Sequence, residues 1–216
     1  MFAQTAIPIP ATPSHFQDPD VRDLLAQSQP GTVSYYPADA MIYAQGDDTG
    51  PLYLVEFGTV RICQMTADGR RQITSFCYAG DVFGLEPGEE HECCAESVDG
   101  AGIRMLRPAN SAGFAQKLLG FALRHFARMQ SHLVLLGRLS ANEKMASFLC
   151  DLLDRQDTGD TVVLPMQRSD IADYLGITFE TVSRVLRVLK DRGIIRVTAL
   201  DRIEILDPGA LRTLSD

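Results

Sequence analysis

Residues 166–196, MQRSDIADYLGITFETVSRVLRVLKDRGIIR, constrain this chain more than any other stretch. Their spacing predicts a helix, a short turn at Gly176, and a second helix with a basic end. Ile171, Ala172 and Leu175 share one face of the first helix, and Val182, Val185, Leu186 and Leu189 share one face of the second. Between those apolar positions the second helix projects Glu180, Thr181, Ser183, Arg184 and Arg187. This is the layout of a helix-turn-helix, whose second helix enters the DNA major groove by its N-terminal end. An arginine there donates two hydrogen bonds to guanine O6 and N7, and a glutamate accepts from cytosine N4. Glu180 and Arg184, four apart, are placed to read adjacent base pairs. The same two residues also suit an ordinary helical ion pair of about 0.2–0.5 kcal/mol. The surrounding pattern favours DNA: Arg168, the Gly176 turn, Glu-Thr-Val-Ser-Arg, then Lys-Asp-Arg-Gly. The candidate DNA contacts are Arg168, Ser169, Thr178, Glu180, Thr181, Ser183, Arg184, Arg187 and Lys190.

This segment resembles the C-terminal domain of the CRP/FNR family of bacterial transcription regulators. "ETVSR" followed by "VLKDRGIIR" is closer to the FNR and FixK branch than to the cyclic-AMP receptor branch. Phe179 stands where cyclic-AMP receptors place a base-reading arginine, and Glu180, Ser183 and Arg184 match the Glu-xx-Ser-Arg pattern of FNR-like proteins. The resemblance implies half-sites of the TTGAT type, arranged TTGAT-N4-ATCAA. It extends over nearly the whole chain after residue 20.

The net charge of −8 is unexpected for a DNA binder. It resolves by position: residues 178–196 carry five basic side chains against Glu180 and Asp191, a local charge of +3. An acidic body then helps orient the basic strip toward phosphate. Apolar residues form 45% of the chain and charged ones 22%, as in an ordinary soluble globular protein. No apolar run is long enough to span a membrane, and MFAQTAIPIPATPSHFQDPD lacks the basic start and apolar core of a signal peptide. A cytoplasmic protein is expected, with residues 1–20 a flexible arm. Five cysteines, an odd number, argue against a disulfide framework. FNR proteins hold an iron–sulfur cluster through cysteines near the N-terminus; here no cysteine precedes Cys63, so no cluster is expected.

Residues 21–111 alternate short apolar runs with turns. Strands are predicted at 41–43, 52–56, 60–65, 72–77 and 103–106, with a hairpin at Ala67-Asp68-Gly69-Arg70. Short strands and regular glycine turns imply an antiparallel jelly roll. "GDVFGLE" at 80–86 resembles the ligand-binding β-roll of the same family. Residues 112–139 predict one long helix. Leu119, Phe126 and Leu133, with Ala122, Met129 and Leu136 three positions later, form an a/d seam suited to a second copy of the helix. A second apolar set, Phe114, Leu118, Leu123 and Leu135, is expected to pack on the chain's own roll. Residues 140–216 complete an α+β fold as a winged helix-turn-helix. A helix is predicted at 142–155, opened by a Ser140–Glu143 capping box, with wing strands at 162–164, 194–197 and 203–205.

Relatives that bind cyclic AMP grip its phosphate with an arginine after the "GE" turn. Here the loop reads PGEEHECCAES, with four glutamates and no arginine, and Gln130-Ser131 stands near the family's adenine contact. No cyclic nucleotide is expected. His91 with Glu89, Glu92, Cys93 and Cys94 offers metal-ligand types at no recognised zinc spacing, so a mobile acidic surface loop is expected and no metal or other cofactor. His125 and His132 are expected to be structural. The resulting expectation is a homodimeric, FixK-like transcription regulator and not an enzyme. Its partners are double-stranded DNA and RNA polymerase. Two other readings stay open: a sensor of the same fold answering an unidentified small-molecule, haem or redox signal, and a metal-dependent cupin-type enzyme.

Overall fold

The computed structural model describes residues 19–29, 31–107, 112–138, 140–156 and 158–215. Of the expected N-terminal arm, residues 1–18 lie outside the described residues, and Pro19 already begins helix α1 (Pro19–Ala26).

Two four-stranded antiparallel sheets follow. In chain order the strands are β1 (Val33–Tyr36), β2 (Met41–Tyr43), β3 (Leu52–Phe57), β4 (Thr59–Met65), β5 (Arg71–Tyr78), β6 (Val82–Phe83), β7 (Cys94–Ser97) and β8 (Ala101–Leu106). One sheet has the order β1-β8-β3-β6, the other β2-β7-β4-β5. The roll's core lies between the sheets: Val55, Val60, Ile62, Cys77, Phe83, Ala95 and Ile103 cluster there. The β4–β5 hairpin closes as expected, with Thr66 N–H donating to the Arg70 carbonyl at 2.9 Å and Gly69 at φ 79°.

The five strands expected from sequence are present, within two residues at each end. Three were not foreseen: β1, the two-residue β6, and β7. The third is a correction. The stretch 87–98 is not a free acidic loop, because its second half is a central strand, paired to β2 and β4. Its first half is tied down as well. His91 is 2% exposed, stacks on Tyr43 at 3.7 Å between ring centroids, and hydrogen-bonds Glu86 at 2.8 Å. A histidine that supplies an aromatic face to the core removes the freedom that four glutamates suggested.

Helix α2 (Ala112–Arg138) runs along the roll. Phe114 and Phe121 are buried, with Leu118 half-buried beside them, against Leu54, Val82 and Leu106; Leu24 of α1 completes that cluster. Leu123, expected in the same set, is instead 60% exposed. It sits four residues after Leu119, on the opposite side of the helix from Phe121, so it cannot reach the roll.

The remaining elements are α3 (Ala141–Arg155), β9 (Thr161–Val163), α4 (Arg168–Leu175), α5 (Phe179–Asp191), β10 (Ile195–Ala199), β11 (Arg202–Ile205) and α6 (Pro208–Ser215). The Ser140–Glu143 capping box opens α3, with both hydrogen bonds formed. Strands β10-β11-β9 form the antiparallel wing. One continuous core joins α3, α4, α5 and the wing to the outer face of β4, β5 and β7, through Cys63, Ile73, Phe76 and Cys94. The helix-turn-helix is therefore seated on the roll, not hung from a linker.

Candidate nucleic-acid interface

Helices α4 and α5 form because each buries one apolar stripe. Ile171, Ala172 and Leu175 of α4 and Val182, Val185, Leu186 and Leu189 of α5 are all buried. Between them Gly176 ends α4 in the left-handed region, φ 60°, where a side chain is strained. A Cβ at Gly176 would also stand 3.1 Å from Leu136 of α2. Thr178 then caps α5, its hydroxyl accepting from Thr181 N–H at 3.2 Å.

On the outer face, Ser169, Thr178, Glu180, Arg184, Arg187 and Lys190 are exposed, and Arg168, Thr181 and Ser183 half-buried. Arg168 Nη1 donates to Ser183 Oγ at 3.4 Å, which links the start of α4 to the reading face of α5. Arg184 leans on Thr181 Oγ1 at 3.5 Å. Among the described residues no ion pair joins Glu180 to Arg184. The Glu180 carboxylate is held below the usual carboxylate range by its own backbone N–H and by the Thr178 hydroxyl, at the helix N-terminus. Glu180 is thus charged and aimed outward, and among the described residues no carboxylate pairs with the Arg184 guanidinium. Further along, Arg187 lies 3.8 Å from Asp191, and Lys190 is exposed.

The seam residues of α2 divide. Leu119, Phe126, Met129 and Leu133 are 57%, 57%, 46% and 66% exposed. Ala122 is half-buried, and Leu136 packs partly into the core beneath the helix-turn-helix. Leu123 and Val134, 60% and 56% exposed, extend the uncovered apolar stripe on its other flank.

Sequence reasoning missed the joint that aims the reading face. Asp170 of α4 is 2% exposed and receives two arginines from the roll, Arg61 at 3.2 Å and Arg71 at 2.5 Å. Arg61 also binds Glu96 at 2.7 Å and Asp39 at 3.0 Å, and Arg71 binds Asp173 at 2.8 Å. Tyr174 meets Phe76 of the roll at a tilt, with centroids 5.2 Å apart, and stacks on His132 of α2 at 4.1 Å. The sequence signal was one arginine within the strand expected at 60–65 and another just before the strand expected at 72–77, and it gave no partner.

A cavity of about 300 Å³ lies between the roll and α2, lined by Tyr43, Phe83, Glu86, Glu92, Cys93 and Met129 among others. Its acidic side chains are Glu86 and Glu92, and among the described residues no arginine lines it. A cyclic phosphate would meet two carboxylates and no guanidinium.

Comparison with known proteins agrees with this geometry. The model of the Crp-like helix-turn-helix domain matches residues 143–214, and that of the cyclic nucleotide-binding domain matches residues 33–98. The nitrogen fixation regulation protein FixK of Rhizobium meliloti (strain 1021) is 44% identical over 187 residues, 87% of this chain and 89% of that protein. The FixK protein of Azorhizobium caulinodans is 39% identical over 85% of this chain and 79% of its own length. Among solved structures, FixK2 from Bradyrhizobium japonicum superposes with a TM-score of 0.82 at 34% identity, covering 87% of this chain and 98% of that one. Those relatives are regulators and not enzymes, which removes the cupin alternative. The chain belongs to the CRP/FNR family of transcription regulators, in its FixK-like branch.

Proposed function

We propose that this chain is a homodimeric, cytoplasmic transcription activator. It reads palindromes of the TTGAT-N4-ATCAA type and acts on genes of nitrogen fixation, microoxic respiration or denitrification. The observation that carries the base readout is the state of Glu180 and Arg184. Both are exposed on the first turns of α5 and are not paired with each other. Arg184 is assigned to guanine and Glu180 to cytosine, with Ser183, Thr181, Thr178, Ser169, Arg168, Arg187 and Lys190 on the flanking bases and phosphates. The regulated genes are inferred from relatives called nitrogen fixation regulation proteins, and activation from one called a transcriptional activatory protein. RNA polymerase is the partner that activation requires.

Dimerisation is assigned to the uncovered stripe of α2, centred on Leu119, Phe126 and Leu133. Two copies related by a two-fold axis present two α5 helices about one DNA turn apart, as a palindrome demands. Neither cyclic nucleotide nor metal is needed for DNA binding. The test is footprinting of purified, chelator-treated protein with no added ligand. Protection of both TTGAT half-sites supports the reading. Protection that appears only after cyclic AMP is added would replace it with the effector-dependent alternative.

A further inference from the structure

We propose that Cys63, Cys94 and Glu96 form a binding site for a thiophilic d10 cation, zinc above all, at the joint between the roll and the helix-turn-helix. The strand register builds it. Cys63 of β4 stands directly opposite Cys94 of β7, and two positions along Arg61 stands opposite Glu96. Side chains of one strand alternate between faces, so these four share a face, and it is the outer one. Ile62 and Ala95, between them, point into the roll's core. Cys63 and Cys94 point out, into the core shared with the helix-turn-helix. The vicinal pair Cys93-Cys94 is thereby split: Cys93 packs toward the roll's interior core, and Cys94 belongs to the joint.

The Sγ atoms of Cys63 and Cys94 and a Glu96 carboxylate oxygen all lie within 4.8 Å of one another. Zinc takes sulfur at about 2.3 Å and carboxylate oxygen at about 2.0–2.2 Å, so tetrahedral ligand atoms stand roughly 3.3–3.8 Å apart. Rotation of the Glu96 and cysteine side chains closes that difference. A cavity reaches the three residues from outside and is also lined by Met41, Met65, Glu90 and His91. It supplies an entry path and room for a water as fourth ligand.

The charges suit the complex. Both thiols give up their protons to solvent, and the cation binds two thiolates and one carboxylate, a unit of net charge −1. Arg61, 2.7 Å from Glu96, and Arg71, 4.0 Å from it, face that unit and balance it. They also orient the carboxylate, as hydrogen-bonding partners of metal ligands commonly do. Because Arg61 and Arg71 also hold Asp170 of α4, a cation drawing Glu96 toward the sulfurs changes what the two arginines offer to the helix-turn-helix. This role rests on the proposed function, in which DNA binding itself needs no metal, so the site modulates that binding.

The test is a cobalt(II) titration of reduced full-length protein, followed by X-ray absorption of the zinc form. The expected result is one equivalent of cobalt with sulfur-to-metal charge-transfer bands, displaced by zinc, and a zinc shell of two sulfurs with light-atom ligands. Cys94→Ala and Cys63→Ala should abolish the bands, Glu96→Gln should weaken binding by roughly tenfold or more, and Cys93→Ser should leave it unchanged. The site is overturned by absence of charge-transfer bands, by a sulfur count other than two, or by bands that survive Cys94→Ala. It is overturned equally if the reduced protein binds no cobalt while the oxidised protein carries a Cys63–Cys94 disulfide. Should the cysteine variants fail to fold, the sulfur count in the wild-type protein and the Glu96→Gln titration still decide.

Discussion

Arg61 and Asp170 join the two halves of the chain: a guanidinium on the outer face of β4 donates to a carboxylate on α4 at 3.2 Å, 109 residues away in sequence. The two side chains are 9% and 3% exposed. Desolvating such a pair costs nearly what their attraction returns, so its worth lies less in net stability than in fixing one geometry. Breaking it is another matter. Asp170→Ala removes the α4 carboxylate but leaves Arg61 with Glu96 and Asp39 and Arg71 with Asp173 and Glu96, so the cost should lie above that of an exposed pair and below the about 3–5 kcal/mol of a fully orphaned buried charge. Denaturant unfolding measures this directly. A loss below about 1 kcal/mol, the range of an exposed pair, would show that the joint is held by Tyr174 and its aromatic neighbours instead.

Arg184→Ala should cost roughly 1–3 kcal/mol per half-site and relax discrimination at one guanine. The guanidinium is exposed and its nearest partner is a threonine hydroxyl, so truncation leaves the fold intact. Lys190→Ala, by contrast, should weaken binding to all sequences and lower the salt dependence. Competition between specific and random duplexes separates the two. Equal losses on both DNAs for Arg184→Ala would reassign it to phosphate.

The apolar stripe of α2 sets the third expectation. Phe126 and Leu133 lie at its centre, so Phe126→Glu buries like charges at a two-fold seam, which costs several kcal/mol. Sedimentation should show monomer, and DNA affinity should fall in parallel. Met129→Glu should have a smaller effect, since Met129 also lines the cavity beside the roll. An intact Phe126→Glu dimer would place the interface elsewhere.

The helix-turn-helix, five strands, the hairpin and the long helix were legible because each is written in local periodicity or turn chemistry. What was not legible depends on pairing at long range. The β7 strand is hidden under four nearby glutamates, and only its registers with β2 and β4 reveal it. The pairing of Asp170 with Arg61 and Arg71, and of Cys63 with Cys94, needs that register too. The exposure of the flanks of α2 was not legible either: Leu136 packs into the core beneath the helix-turn-helix and Leu123 is left bare, and both follow from packing at long range.

Mild peroxide should leave DNA binding largely intact. No cysteine lies after Cys150, so the reading helix carries no thiol, and Cys150 is 8% exposed within α3. Burial pushes the Cys77 thiol up to about 12 and the Cys93 thiol to about 11, and raises Cys63 as well, so these three thiols offer little reactive thiolate at neutral pH. Gel shifts before and after peroxide check this. Loss of binding that Cys150→Ser rescues would make Cys150 a sensor.

Stability should fall as the pH drops below about 6.5, the ordinary histidine value, in part through His132. Its ring stacks on Tyr174 and, among the described residues, neither of its buried ring nitrogens has a hydrogen-bond partner. Burial first, and the Lys144 ammonium second, hold its pKa below the ordinary value; His125 is lowered too, by burial and then Arg128. A group whose folded pKa is depressed binds its proton more readily in the unfolded chain. Its contribution is therefore complete above the unfolded value and is lost as the pH falls through that value toward the folded one. His132→Phe keeps an aromatic ring against Tyr174 but cannot take up a proton. Thermal unfolding of this variant should show a shallower decline between pH 7 and pH 5.5 than the wild-type protein. An identical slope in both would assign the decline to His125 instead.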